Sequence, residues 1–467
     1  MLTQIDKKQI TEYLIILILI FVGFVLRYHN LLLEDYWADE MIGFAQADPN
    51  LTFKETLRLI HNPEFWDKSD QTPILFHLLL KYFYKFFGYN PDYGRIFTLL
   101  LGISVIPLAL LVIRELNVKK GSLLFCFLLC TNIYLINYSQ EVRPYILLFL
   151  LSFVSIYFFL KTSNNLFNKN NFYFSSLVLI LINVLGFLTH PFFLIIVASE
   201  ILHSFIMTLY LRKEFFKVLA ALIFSFIFSL LIQYEYIISL INLPDFWIEN
   251  PSIKFISDLY FSRFFGSKIM GAAYLLLTIL LFLTFRKKIF SLNNYYLFLI
   301  IIIFLSYFLP LIYGYIRMPV LHDRYIIFIL IPILAFISVL IYELKNLKLR
   351  KIIISILLII NISHLYYEIS NKVFYKPEVN KILISINKES QQEYSKNIFI
   401  DKQKNPPYFK NYIVRLNNYI INDFLLLEEK EILYQKNFWL ICYIEEGLDC
   451  TQSDIEEKFE TKKILKK

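Results

Sequence analysis

The chain has 467 residues, of which 57% are hydrophobic and only 18% charged. A soluble packing of that composition has too little polar surface to cover its apolar mass, which excludes ordinary soluble domains. Abundant Phe (47) and Tyr (33) with only 11 Gly exclude disordered and Gly-repeat classes, and the net charge of +8 reads as basic loops beside a membrane, not as a nucleic-acid footprint.

A short start carrying Lys7 and Lys8 precedes an apolar run at 13–33. That run can cross a hydrocarbon core of about 30 Å. A cleaved signal peptide would have a shorter apolar core and a small-residue cleavage site, so an uncleaved first span is expected. Further apolar runs follow at 73–87, 96–113, 121–137, 145–160, 172–189, 191–211, 218–238, 270–285, 295–314, 325–343 and 351–368.

Several hinges are basic: Arg114/Lys119/Lys120, Lys161/Lys169, Arg212/Lys213/Lys217, Arg286/Lys287/Lys288 and Lys345/Lys348/Arg350/Lys351. They alternate with acidic or mixed connections at 34–70, 140–143, 240–268 and 317–324, as the positive-inside rule requires of one orientation. Parity leaves room for one crossing between the loop 34–72 and the hinge 114–120. The run 73–87 is short and carries His77, Lys81 and Lys85, so it is assigned to an interfacial or re-entrant helix and 96–113 to a span. The count is about eleven spans, with the N-terminus cytoplasmic and the C-terminus outside.

After 370 Lys, Glu, Asn and Gln return, and short β-like runs stand at 397–400 and 438–444. The expected protein is an all-α polytopic membrane domain over 1–369, with an outer loop at 34–72, followed by a small α/β extracytoplasmic domain over 370–467. Its expected location is the plasma (inner) membrane. Cys126 and Cys130 share one apolar helix face and read as packing residues, whereas Cys442 and Cys450 could form a disulfide given suitable geometry. No zinc-ligand spacing, P-loop or dinucleotide fingerprint occurs.

Residues able to do chemistry gather on the expected outer face. Glu34, Asp35, Asp39 and Glu40 follow the first span directly, where a carboxylate could serve as a general base, bind metal, or simply coat a solvated rim. Asn137-Tyr138-Ser139-Gln140-Glu141-Val142-Arg143-Pro144-Tyr145 joins two apolar runs. Pro144 suits a first helical turn, Glu141 and Arg143 could pair locally, and Gln140 and Arg143 could hold a diphosphate or sugar hydroxyls. Thr189-His190-Pro191 interrupts two apolar runs, and His322-Asp323-Arg324-Tyr325 opens another with both charge signs. An arginine at that depth requires an anion, either Asp323 or a lipid phosphate. Transporters place polar groups near the bilayer midplane in repeated broken helices, and no inverted repeat is evident here. The clustering on one leaflet suits an interfacial enzyme acting on a lipid-linked, phosphorylated substrate.

At these residues the sequence resembles the GT-C glycosyltransferases of the protein O-mannosyltransferase and aminoarabinose-transferase type. The likeness rests on Trp37-Ala38-Asp39-Glu40, Gln71-Thr72-Pro73-Ile74-Leu75, Phe87-Gly88, Arg95 and Tyr138-Ser139-Gln140-Glu141-Val142-Arg143-Pro144-Tyr145, with weaker matches at Thr189-His190 and Arg324-Tyr325. The sequence departs from the family at Gln71-Thr72-Pro73, where His-Pro-Pro is usual; the role of that histidine is absent or moved to His61 or His77.

The resemblance implies transfer of a sugar from a polyprenyl-phosphate donor to an acceptor hydroxyl, with inversion. Asp39 would be the base and Glu40 its orienting partner. Gln140, Glu141, Arg143, Tyr145, Arg324 and Tyr325 would bind donor phosphate or sugar. No cofactor is certain; a divalent metal stays open, with His190 and an outer-loop acid as its ligand set. The expected partners are the lipid-linked donor, membrane lipids, and a lipid, protein or polysaccharide acceptor, with no nucleic acid. The alternatives are a transporter or flippase of lipid-linked glycans, and a glycan polymerase or ligase.

Overall fold

The computed structural model describes residues 7–61, 73–116, 121–166, 169–210, 213–243, 248–249, 252–253, 263–291, 295–372, 376, 379–390, 397–400, 412–413, 415–416, 425–427 and 439–441. Among these, nine helices are long and apolar enough to cross a membrane: Ile10–Tyr28, Pro91–Glu115, Tyr145–Asn164, Pro191–Tyr210, Lys213–Ile232, Lys268–Ile289, Tyr296–Ile316, Asp323–Glu343 and Leu347–Ser370. Two shorter apolar helices, Ser122–Thr131 and Asn171–Phe187, stand where the sequence has its remaining long runs. The protein is a multi-pass, helical membrane protein, because in hydrocarbon only a helix satisfies its own backbone polar groups along a single span.

The helices needed below are α1 (Lys7–Tyr28), α2 (Ala38–Gln46), α3 (Phe53–His61), α4 (Leu75–Phe87), α5 (Pro91–Glu115), α6 (Ser122–Thr131), α7 (Ile133–Tyr138), α8 (Tyr145–Asn164), α9 (Lys169–Phe187) and α10 (Leu194–Tyr210). At 13 residues α4 is too short to span, whereas α5 has 25. The run 121–137 is two helices and not one. Asn132 takes an extended conformation and its side chain accepts from Leu135 N at 3.0 Å, which ends α6 and caps α7. The span at 325–343 likewise opens with a tight 3-10 stretch, Asp323–Ile329, before regular helix begins at Leu330. The first loop folds into α2 and α3.

The chain divides into two compact units: 1–29, 71–76 and 98–372 form the first, and 30–70, 77–97 and 373–467 the second. In the first unit, the segment Asp323–Glu343 is buried along almost its whole length, while α1, Lys268–Ile289 and Leu347–Ser370 keep most of their apolar surface outward. That contrast marks a protein-packed centre and a lipid-facing wall. Cys126 and Cys130 are buried free thiols of α6, their Sγ atoms 3.3 Å from the Ile106 and Leu19 carbonyls, and serve as packing.

In the second unit, Asn397–Ile400 (β1), Leu425–Leu427 (β2) and Trp439–Ile441 (β3) form a parallel sheet in the order β2-β1-β3. Asn397 pairs with Leu425 and Ile398 with Trp439. The helix Val379–Ser390 belongs to the same unit. Two of the three strands coincide with the β-like runs of the sequence. Cys442 and Cys450, and the Gln71-Thr72 pair, lie outside the described residues.

Gly102 of α5 faces Ser139, and a Cβ there would collide with the Ser139 hydroxyl and approach Arg27. Gly102→Ala should therefore cost about 1–3 kcal/mol through overpacking. Gly314→Ala, inside the helix Tyr296–Ile316, whose new methyl would meet only ordinary contact with Pro319, should hold or slightly raise stability. Thermal unfolding of the two purified variants in one detergent checks the contrast.

Candidate functional site

In the first unit the site is anchored by Arg27, a fully buried charge near the end of the first span. Its Nη atoms donate to the carbonyls of Gly23 (3.3 Å), Cys130 (3.2 Å) and Leu129 (3.1 Å), and its Nε donates to Ser139 Oγ (3.2 Å). The Leu129 and Cys130 carbonyls belong to the last turn of α6, whose helix hydrogen bonds are cut off by the break at Asn132. A cation there meets the negative end of α6 and satisfies its orphan acceptors. Gln140 completes the anchor: its amide donates to the Arg27 carbonyl (2.9 Å) and the His29 carbonyl (2.8 Å), and its Oε1 accepts from Lys372 Nζ (2.9 Å). Both ends of the Gln140 amide are thus engaged by the scaffold, which makes it a positioning residue in this arrangement.

Past that anchor the chain turns through Glu141 to Pro144, with Arg143 N donating to the Glu141 carbonyl at 2.9 Å, and enters α8 at Tyr145. Pro144 sits immediately before the first helical residue, where its missing N–H costs nothing. Here an aromatic and cationic cluster forms. Tyr145 packs against Tyr138 (ring centroids 5.5 Å apart), His190 (6.0 Å) and Tyr325 (6.1 Å). The guanidiniums of Arg143 and Arg324 lie over the Tyr145 ring at 5.7 and 5.3 Å, and Arg324 also lies 5.5 Å from the Tyr325 ring. Arg143 Nη2 donates to the Tyr145 hydroxyl at 3.4 Å. Glu141 is half-buried, within electrostatic reach of Tyr134 and Tyr138. Asp323 is engaged by His322 (2.5 Å) and Arg263 (3.9 Å).

His190 sits inside this cluster, 4.9 Å from the Tyr325 ring. Its Nδ1 accepts from Phe192 N at 3.2 Å and caps the turn into α10, which leaves the ring hydrogen on Nε2. Burial, then the charges of Arg324 and Arg143, push its pKa down to about 3. The imidazole is neutral at ordinary pH. Among the described residues no three His, Cys, Asp or Glu side chains gather into a group that could hold a metal ion.

The second unit holds the acidic motif. Trp37 caps α2, Asp39 lies in its first turn and is half-exposed, and Glu40 is fully buried. Glu40 accepts from Trp37 N (3.3 Å), Arg95 Nη2 (3.4 Å) and Lys376 Nζ (2.8 Å). Arg95 also donates to the carbonyls of Leu31 (2.9 Å), Asp35 (2.9 Å) and Glu34. It therefore fixes the backbone leading into α2 as well as the carboxylate inside it. Tyr36 stacks on Tyr412 with ring centroids 5.3 Å apart, takes Arg95 on its face at 5.1 Å, and donates its hydroxyl to the Pro91 carbonyl (2.5 Å). Gly94 leaves the room for the Tyr36 and Tyr84 hydroxyls, which a Cβ would meet head-on. His77 is buried in this unit, its pKa pushed down to about 4 by burial against a weaker hydrogen bond to the Gly43 backbone. It is packed as a neutral ring.

The structure thus brings Arg143, Tyr145, His190, Arg324 and Tyr325 together, ties Gln140 to the scaffold, and separates two adjacent acids by burial. The sequence reading passed over Arg27 and Lys376. Arg27 carried a signal, being the one charge inside the apolar run 13–33. Lys376 carried none, because its partner lies 336 positions away.

No protein-family model matches the sequence, and no curated protein matches it. Solved structures do. ArnT from Cupriavidus metallidurans in the apo state is similar with a TM-score of 0.54 and 12% identity, over 86% of this chain and 74% of that one. The Archaeoglobus fulgidus oligosaccharyltransferase in complex with Zn and sulfate is similar with a TM-score of 0.56 and 10% identity, over 86% of this chain. The archaeal oligosaccharyltransferase AglB from the same organism, in complex with an inhibitory peptide and a dolichol-phosphate, gives 0.56 and 11%, over 88% of this chain. The chain spans 61% and 60% of the length of those two. These are GT-C superfamily members, and the chain shares their fold.

Because His190 and His77 are held neutral well below the ordinary histidine pKa of about 6.5, the unfolded chain binds protons there before the folded one does. Their contribution to stability is complete above pH 6.5 and is lost as pH falls toward about 4 and 3. Melting temperature should drop over that window in the wild type and drop less in His190→Phe. An equal drop in both would remove His190 as a source.

Proposed function

We propose that this GT-C fold serves a glycosyltransferase that moves a sugar from a polyprenyl-phosphate donor to an acceptor hydroxyl at the outer face of the plasma membrane, with inversion. In this reading the N-terminus is cytoplasmic and the tail extracytoplasmic. The observation that carries the reading is the pair of buried guanidiniums, Arg143 and Arg324, set on Tyr145 beside a neutral imidazole. Such a setting suits a phosphate leaving group, whose developing charge needs fixed cations in a water-poor place. The fold supports it too, since AglB, similar in structure, is described in complex with a dolichol-phosphate.

In the proposed step the acceptor oxygen bonds to the anomeric carbon as the bond from that carbon to the phosphate oxygen breaks. Asp39 takes the acceptor proton. Its place in the first turn of α2 keeps it accessible, while Glu40 is consumed by Arg95, Lys376 and the Trp37 N–H and acts by holding α2 in place. The freed polyprenyl phosphate is stabilised by Arg143 and Arg324. Tyr145 and Tyr325 orient these guanidiniums and bind sugar or phosphate oxygens, and Glu141 binds a sugar hydroxyl. The acceptor is a lipid, protein or polysaccharide hydroxyl.

The test uses membranes containing the full-length protein and a radiolabelled sugar carried on undecaprenyl phosphate. Label should pass to an endogenous acceptor, and none should pass from a nucleotide sugar. Asp39→Asn should insert in normal amount and lose transfer by about 10²-fold or more. Full activity in that variant removes Asp39 as base. Lipid translocation in proteoliposomes that persists in Asp39→Asn, without transfer in the wild type, would replace the enzyme by a flippase.

A further inference from the structure

Deeper in the first unit, three polar side chains from three helices close on one another. Ser155 of α8, Asn183 of α9 and Glu200 of α10 are all buried. Ser155 Oγ lies 2.7 Å from Asn183 Oδ1 and 2.6 Å from Glu200 Oε1, and Asn183 Nδ2 lies 3.0 Å from Glu200 Oε2. Three contacts need three hydrogens. The hydroxyl of Ser155 supplies one, and the Asn183 amide directs one into the ring through its nitrogen. If Asn183 donates to Glu200 and Ser155 to Asn183, the contact between Ser155 and Glu200 has no hydrogen unless the carboxyl carries it. Turning the amide over moves the shortfall to the contact between Asn183 and Glu200 and does not remove it.

The surroundings agree with that count. An ionised carboxylate inside a helical bundle requires a cation. Among the described residues, the groups acting on the Glu200 carboxyl are the side chains of Ser155 and Asn183, and no charged residue is among them. The next titratable group on the same helix is His203, one turn on, whose ring packs against Phe159, Tyr295 and Phe298. The contacts are also too short to admit a metal ion between the oxygens, so the occupant that fits is a hydrogen.

We infer that Glu200 is a neutral carboxylic acid, a proton-binding site within the membrane bundle whose proton closes a hydrogen-bonded ring across α8, α9 and α10. The consequence for the candidate site is direct. Tyr145 is the first residue of α8, and Thr189-His190 is the turn between α9 and α10. The ring therefore pins the helices from which Tyr145 and His190 project, whatever the sugar or acceptor.

The test needs no substrate. Purified full-length protein in nanodiscs should show, at neutral pH, an infrared carboxylic-acid C=O stretch that disappears in Glu200→Gln. That variant can donate from its amide to Ser155 and accept from Asn183, so it should keep the wild-type melting temperature. Glu200→Ala, which opens the ring, should melt about 3–6 °C lower. An acid band unaffected by Glu200→Gln, or a Glu200→Gln protein that melts as low as Glu200→Ala, overturns the assignment.

Discussion

Arg27 is the interaction from which the arrangement of the first unit follows. A guanidinium buried where a span ends is expensive, and it is tolerated because four acceptors meet it: the carbonyls of Gly23, Leu129 and Cys130, and the Ser139 hydroxyl. Two of those acceptors, the Leu129 and Cys130 carbonyls, exist because α6 is broken at Asn132 and leaves its last carbonyls unpaired. The break and the charge are therefore one device. Each would be costly alone, and together they fix where Ser139 and Gln140 begin the turn that delivers Arg143 and Tyr145. The absence of a Cβ at Gly102 is part of the same fit, since α5 must pass close to Ser139.

Burial sorts the chemistry of otherwise similar side chains. Asp39 and Glu40 are neighbours on one helix, yet Glu40 is withdrawn from solvent and held by Arg95 and Lys376, whereas Asp39 is half-exposed. The same logic bears on His190, which burial and two neighbouring guanidiniums hold as a neutral hydrogen-bonding ring. Glu200 represents a third outcome, a carboxyl whose partners can be satisfied only if it keeps its proton.

Much of this was legible in the chain. The apolar runs gave the helical membrane class and the positions of the long apolar helices, because the bilayer imposes length and polarity on each helix separately. The shortness and charge of 73–87 marked α4 as different. Two strands of the tail were visible as short apolar runs, whereas Leu425–Leu427 was not, since three leucines carry no period of their own. The cluster around Tyr145 was half visible: Arg143, Tyr145, His190, Arg324 and Tyr325 stood out as polar or aromatic residues at the ends of spans. That Gln140 is spent on the carbonyls of Arg27 and His29 was not, because a side-chain amide looks the same whether it faces ligand or backbone.

The sequence by itself determined which segments are long and apolar enough to cross a membrane and which chemical groups stand at their ends, since those are properties of composition along a line. Only the tertiary structure decided what each group is free to do. Glu40 meets a lysine 336 positions away, Arg27 meets carbonyls released by a distant helix break, and Glu200 meets Ser155 and Asn183 on two other helices. Those partners set hydrogen bonding and desolvation, and hydrogen bonding and desolvation set whether a side chain is an anchor, a proton carrier or a reagent.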